Sequence, residues 1–169
     1  MPDPSSRRRR AGSLAVLVGA AAAASAVHAA TLIYRTSVFF AQIFDEALDP
    51  QLVDLGEGHG TAFEVKTLAA SRLAIFLNAQ CLISAATNNT YLELDILVDG
   101  VPAPPTQGAG NAFCTSMAHA PAQLMASDAS VVVAPGVHTI ELRGELKEEA
   151  AGNTWLLAGL SLIVLAKEL

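Results

Sequence analysis

The chain has 169 residues, of which 52% are hydrophobic, 15% charged and 5% aromatic, and its formal net charge is −6. Four of its ten basic residues are Arg7 to Arg10, so from Ala30 onward six basic side chains face fifteen acidic ones, a net charge of −9. A domain that acidic is repelled by phosphate backbones and anionic lipid surfaces, which excludes nucleic acid as a partner.

The first element is a leader. Arg7 to Arg10 precede an apolar run from Ala11 that closes on Val27-His28-Ala29. A basic stretch, an apolar stretch and small residues at the −3 and −1 positions are the order of a secretory signal. Residues 1–29 are therefore expected to be a signal peptide cleaved after Ala29, and residues 30–169 a single domain, periplasmic or secreted. The competing reading retains residues 11–30 as an uncleaved anchor, just long enough for a bilayer core of about 30 Å. Its bulky groups are only Leu14, Val16, Leu17, Val18 and Val27. Arginines ahead of the run hold the N-terminus in the cytoplasm in both cases, so membrane contact is expected only through this segment, if it stays. The general secretory and twin-arginine routes both remain open, since Ala11-Gly12 stands where the latter expects an aromatic residue or leucine.

Export sets the reading of the cysteines. Cys81 and Cys114 are the only two, and in an oxidising compartment an even pair reads as one disulfide. Closing a loop of about 33 residues stabilises by roughly 3.7 kcal/mol in the chain-entropy model.

After the leader, Thr31 to Phe40 is predicted as a strand. Phe40, Ile43, Phe44, Ala47 and Leu48 share a helical face, so a short helix or loop is expected to follow and end near Pro50. Phe63 and Val65 then alternate with Glu64 and Lys66. Leu73 to Leu77 is apolar on both faces, and a strand is also predicted near Ile83. Leu92, Leu94, Ile96 and Val98 alternate with Glu93 and Asp95, the signature of a strand with one face on a core and one in water. Pro102, Pro104 and Pro105 mark 101–112 as a loop, which Cys114 would staple to the strand carrying Cys81. Residues 118–127 suit a helical turn or an irregular crossover, and a strand is expected near Val132. Ile140 and Leu142 alternate with Thr139, Glu141 and Arg143, and His138 falls on the Ile140 face, capping the buried end. Glu145-Lys147-Glu148-Glu149 reads as an exposed turn. Trp155-Leu156-Leu157 and Leu160 to Leu165 lack a wet face. Asn88-Asn89, Asp99-Gly100, Pro135-Gly136 and Gly152-Asn153 end apolar runs with turn-forming chemistry. The Arg- and Ala-rich leader points to a bacterial source, so Asn88-Asn89-Thr90 is read as a turn and not as a used glycosylation site.

About eight short strands without long helices between them predict an all-β protein: an antiparallel β-sandwich, jelly-roll-like. Gly60-Thr61-Ala62-Phe63-Glu64-Val65, Leu94-Asp95-Ile96-Leu97-Val98-Asp99-Gly100, Ala134-Pro135-Gly136-Val137-His138-Thr139-Ile140 and Leu160-Ser161-Leu162-Ile163-Val164 give an order of signals from Gly60 onward. That order resembles the jelly-roll domains of the tumour-necrosis-factor and complement-component superfamily. It is also similar to small β-sandwich modules of bacterial exported and phage-tail proteins. The resemblance implies trimerisation through apolar faces and ligands bound at loops or inter-subunit grooves.

Candidate sites are few. A strand apolar on both faces is either central and covered or lies at a subunit contact, so Trp155, Leu160, Leu162, Ile163, Val164 and Leu165 are the interface candidates. Asp45, Glu46, Asp49, Asp54 and Glu57 cluster within thirteen residues. Oxygen-rich loops bind Ca²⁺ outside cells, making Asp45, Asp49, Asp54 and Glu57 weak calcium candidates, although the spacing is not that of an EF-hand. His28, His59, His119 and His138 show no zinc-ligand spacing. Glu93 and Asp95 share a strand face about 7 Å apart, a pattern that glycosidases use and that any wet sheet face also produces. No cofactor is expected. The leading expectation is an exported, non-enzymatic β-sandwich acting by self-association, as a trimer if the resemblance holds, or by binding an envelope protein. The alternatives are a carbohydrate- or calcium-binding module using 45–57 and 101–112, and a hydrolase.

Overall fold

The computed structural model describes residues 30–45, 50–56, 58–85, 90–104, 112–116, 123–147 and 153–169. The leader, Asp49, Glu57, His28, His119, Asn88-Asn89, Gly152 and Glu148-Glu149 lie outside these residues. The described chain is all-β, with eleven strands in two antiparallel sheets and no helix. They are β1 (Thr31–Val38), β2 (Gln42–Asp45), β3 (Gln51–Leu52), β4 (Ala62–Thr67), β5 (Ser71–Ser84), β6 (Tyr91–Val98), β7 (Val101–Pro102), β8 (Cys114–Thr115), β9 (Gln123–Val133), β10 (Gly136–Lys147) and β11 (Thr154–Glu168).

Eleven strands occupy eight positions. One sheet runs β1-β11-β5-β9, with β2 continuing the β1 edge along β11; the other runs β3-β10-β6-β7, with β4 also on β10 and β8 also on β6. The pairs nest: β1 with β11, β4 with β10, β5 with β9, β6 with β7. The chain is thus one long hairpin whose successive strand pairs fall in opposite sheets, which is the jelly-roll arrangement. Three of the four sheet edges are broken into short strands, which blunts edge-to-edge aggregation.

Alternation explains the layers. Leu73, Ile75, Leu77, Ala79, Cys81 and Ile83 of β5 face inward, as do Leu92, Leu94, Ile96 and Val98 of β6 and Ile140, Leu142 and Leu146 of β10. The strands expected separately near Ile75 and Ile83 are one continuous β5, since the inward alternation runs unbroken through Asn78. Between Leu142 and Leu146, Gly144 leaves a gap in the inner face, and Trp155 of the opposite sheet fills it. A Cβ on Gly144 would lie 2.3 Å from the Trp155 ring. The indole also stacks on Phe44, with centroids 3.8 Å apart.

Three expectations are corrected. Gln42–Asp45 is strand, not helix: it pairs with Thr154–Leu157, turning Phe44 inward and Ile43 outward. Ladder hydrogen bonds to an otherwise open stretch of β11 outweigh the helical spacing. Strand β9 begins at Gln123, well before Val132, because β5 offers a partner along the whole length from Ser71 to Cys81. Glu145 and Lys147 belong to β10 and are half-buried, so this is not an exposed turn. At Asp99-Gly100 the two-residue connection from β6 to β7 has φ values of 54° and 76°, the geometry of the tight hairpin turn expected from Asp-Gly.

Candidate interaction surface

Cys81 and Cys114 are joined, with Cα atoms 6.3 Å apart, and the bridge ties β5 of one sheet to β8 of the other. Both are buried, so this pair is structural cross-linking within the core.

The interface candidates divide by strand parity. Trp155, Leu160, Leu162 and Val164 are buried against the opposite sheet and form core; as contact residues they are corrected. Only Ile163 and Leu165 face outward, half-buried. Strand β11 lacks a wet face because it is central, flanked by β1 and β2 on one side and β5 on the other.

Its outer face belongs to a wider surface. The register places Ile43, Leu156 and Leu82 in one row across three strands, around a hollow of about 90 Å³. Ser37, Ser161, Asn78 and Ala126 form an uncharged row nearer the middle. The next row reads Arg35, Ile163, Phe76, Asp128: a cation on one edge strand, two apolar residues at the centre, an anion on the other edge. Ile43 is 73% exposed and Phe76 41%. A bulge between Ala158 and Ser161, with Gly159 at φ 56°, lies opposite the break that projects Phe39 and Phe40 into solvent. Sequence reasoning missed Ile43, Leu82, Leu156, Arg35 and Asp128, since only the register brings them together.

The second sheet presents a different outer face. Glu93 and Asp95 lie on it, but each faces a cation on β10: Asp95 accepts from Arg143 at 2.7 Å, and Lys147 sits 3.5 Å from Glu93 and 2.5 Å from Glu145. Hydrogen bonding to Glu145 raises the Lys147 pKa against the opposing effect of burial. Both carboxylates are held in ion pairs rather than aimed at a shared substrate position.

His59 is exposed and touches the edge of a stacked pair, Tyr34 and Phe63, whose centroids are 3.6 Å apart. It borders an open depression of about 520 Å³ with Gly58, Ala62, Glu64 and Thr139. Phe63 is buried under Tyr34, so its ring offers no open platform for a sugar.

Asp54 is used locally. Its carboxylate accepts from the Gly56 amide at 2.8 Å, while its backbone exchanges two hydrogen bonds with the Gln42 side chain. Asp45 ends β2. Among the described residues no three His, Cys, Asp or Glu side chains converge as metal ligands.

His138 closes the buried end of β10, as its alternation implies. Its Nδ1 lies 2.8 Å from Asp99 Oδ2 and its Nε2 2.8 Å from the Ala134 carbonyl. Two acceptors favour an imidazolium: the Asp99 hydrogen bond raises the His138 pKa above 6.5, with burial opposing. Burial pushes the Asp99 carboxyl up, but the His138 and Thr139 hydrogen bonds and the histidine charge together hold it below 3.8.

No protein family matches this sequence, and no curated protein does. Among solved structures, the chain is similar to the crystal structure of the infectious bursal disease virus VP2 subviral particle. The identity is 10% and the TM-score 0.40, over 83% of this chain and 37% of the viral one. The infectious bursal disease virus Gx strain structure gives 9%, 0.40, 83% and 37%. This chain therefore spans just over a third of the viral protein's length, and at that level the likeness carries neither partner nor activity to it.

Proposed function

We propose that this protein is an exported, non-enzymatic β-sandwich that acts by self-association, with the outer face of the β1-β11-β5-β9 sheet as the contact. The observation that supports this most is the row Arg35, Ile163, Phe76, Asp128. A two-fold axis lying in the interface along the strand direction reverses the order of strands in the second copy. Arg35 of one copy then meets Asp128 of the other, Ile163 meets Phe76, and the reciprocal contacts follow by symmetry. Such a patch is self-complementary, as an isologous interface requires. The Ser37–Ser161–Asn78–Ala126 row beside it carries no charge, and the apolar row through Ile43, Leu156 and Leu82 extends it. This favours a pair of chains over the trimer that the sequence resemblance implies. A non-catalytic role accords with the carboxylates of the second sheet being held in ion pairs.

The test is reciprocal charge exchange read by sedimentation velocity. The wild-type chain is expected to dimerise, Arg35→Asp to lower the dimer fraction, and Arg35→Asp with Asp128→Arg to restore it. Phe76→Arg is expected to give monomer. A wild-type chain that stays monomeric at high micromolar concentration overturns the proposal, as does an exchanged pair no better than the single variant.

A further inference from the structure

The two ends of the sandwich differ in chemistry. Thr31 pairs with Ala166, so the chain enters the domain where β11 finishes, and the β4–β5 and β9–β10 connections turn at that same end. Leu68 is 82% exposed there and Leu169 70%; Val132 and Val137 are each more than half exposed. Around them stand three exposed cations. Lys66 is the cross-strand partner of Val137, Arg72 that of Val132, and Lys167 that of Arg72. These are half of the six basic residues beyond the leader, in a domain whose net charge is −9. Acids stand at this end too: Glu64 opposite Thr139 and Glu168 opposite Ser71 in the register, and Asp99, engaged by His138.

The connections at this end turn their polar groups inward. The Ala134 carbonyl accepts from Thr67 Oγ1 at 3.0 Å and from His138 Nε2 at 2.8 Å. Ser71 Oγ donates to the Ala69 carbonyl at 2.9 Å, and the Leu169 amide to the Ala70 carbonyl at 3.0 Å. What is left facing out is mostly aliphatic side chain, with ammonium and guanidinium groups at the rim. Internally bonded carbonyls at Ala69, Ala70 and Ala134, an apolar tip and a basic rim suit the boundary of an anionic bilayer.

We infer that this end of the sandwich docks on an anionic lipid surface, through Leu68, Val132, Val137 and Leu169 with Lys66, Arg72 and Lys167 at the headgroups. The inference uses none of the residues named for the sheet-face dimer, whose nearest row, Arg35 to Asp128, lies four residues along the strands from Arg72, Lys167 and Val132 on the same outer face. The partner is the bilayer itself, and a second copy of the chain is the rival occupant.

The test uses the full chain carrying an environment-sensitive dye at Leu68→Cys or, as the far-end control, at Ser84→Cys. These positions bracket β5 and lie roughly 45 Å apart along the strand direction. Phosphatidylcholine vesicles are compared with and without phosphatidylglycerol. The Leu68 dye is expected to shift to the blue and be quenched by a lipid-borne quencher only when phosphatidylglycerol is present, while the Ser84 dye stays aqueous. Combining K66E, R72E and K167E is expected to weaken that response by roughly tenfold or more. An equal response in both lipids overturns the inference, and so does a phosphatidylglycerol-dependent response that the triple variant leaves unchanged, since Arg7 to Arg10 of the leader would then supply it. A dye that stays in water overturns it too, as does a blue shift without vesicles that grows with protein concentration.

Discussion

Replacing Gly144 with alanine reverses the usual expectation for a glycine in a strand. Gly144 lies within β10 with an ordinary backbone conformation, so alanine should stabilise the chain by about 0.5–1 kcal/mol through reduced backbone freedom. The packing decides otherwise. The added methyl would stand 2.3, 2.7 and 3.0 Å from three carbons of the Trp155 ring, where carbon–carbon contacts prefer about 3.5–4.0 Å. The indole has little room to retreat: it is fully buried, and Phe44 stacks on it with centroids 3.8 Å apart. Overpacking of this kind costs about 1–3 kcal/mol. The net effect of Gly144→Ala is then a loss of about 1 kcal/mol and at most about 2.5 kcal/mol, measured as a lower denaturation midpoint with an unchanged slope in guanidinium. The melting temperature should fall by about 3 °C per kcal/mol for a domain of this size. Adding Trp155→Leu to Gly144→Ala should recover part of the loss relative to Trp155→Leu alone, because the clash is gone. A Gly144→Ala chain as stable as the wild type, or more so, refutes the reasoning.

Reducing the Cys81–Cys114 bridge should cost roughly 3–4 kcal/mol, read as a denaturation midpoint that falls with reductant and is unaffected in the double Cys→Ser chain. Thr36→Val should cost about 1–2 kcal/mol, because Thr36 is buried and its hydroxyl satisfies the Leu55 carbonyl at 3.0 Å; no change in urea would mean that this carbonyl finds another donor. The His138–Asp99 pair predicts opposite pH dependences. The His138 contribution is fully present below its ordinary value of 6.5 and is lost as pH rises through its raised folded value. The Asp99 contribution is present above 3.8 and lost as pH falls through its lowered folded value. Stability from this corner is therefore greatest from about pH 4 to 6.5, and Asp99→Asn should lower the His138 pKa in an NMR titration. A His138 titration that is the same in Asp99→Asn removes the pair as its cause.

Where side-chain alternation was strong, the fold was legible. The faces of β6 and β10, the Asp99-Gly100 turn and the burial of His138 all follow from period-two patterning with turn chemistry at its ends. The misreadings have particular causes. Gln42–Asp45 carries residues compatible with either period, and only β11, more than a hundred residues later, decides between them. Val53 and Leu55 are fully buried in a stretch to which the sequence assigns no element. Their place depends on Val53 donating to the Leu142 carbonyl at 2.9 Å and Leu55 to the Gly60 carbonyl at 2.7 Å, bonds that leave no periodic trace. The middle of β9, Ala126 to Ser130, is Ala, Ser and Asp, residues of weak strand preference, and pairing with β5 overrides that preference. Two apolar faces on β11 were correctly seen, but sequence alone does not distinguish a central strand from a subunit contact. The row Arg35–Ile163–Phe76–Asp128 draws on four strands, so no local window contains it.

The net charge of −9 misleads for a related reason: it averages over distances longer than charges act. At 0.1 M salt the screening length is about 10 Å, whereas the 14-residue β5 extends for roughly 45 Å. Asp45, Glu93 and Glu145 at one end therefore do not neutralise Lys66, Arg72 and Lys167 at the other. Lowering the salt to 0.01 M lengthens the screening to about 30 Å, and a lipid surface then feels most of the acidic domain as well as the basic end. Partitioning of the wild-type chain onto phosphatidylglycerol vesicles should consequently rise from 0.01 M salt to a maximum near 0.1 M. It should fall towards 1 M, where screening of about 3 Å removes even the local attraction. Binding that only rises with salt is what a uniformly acidic body would give, and it would refute a locally basic end.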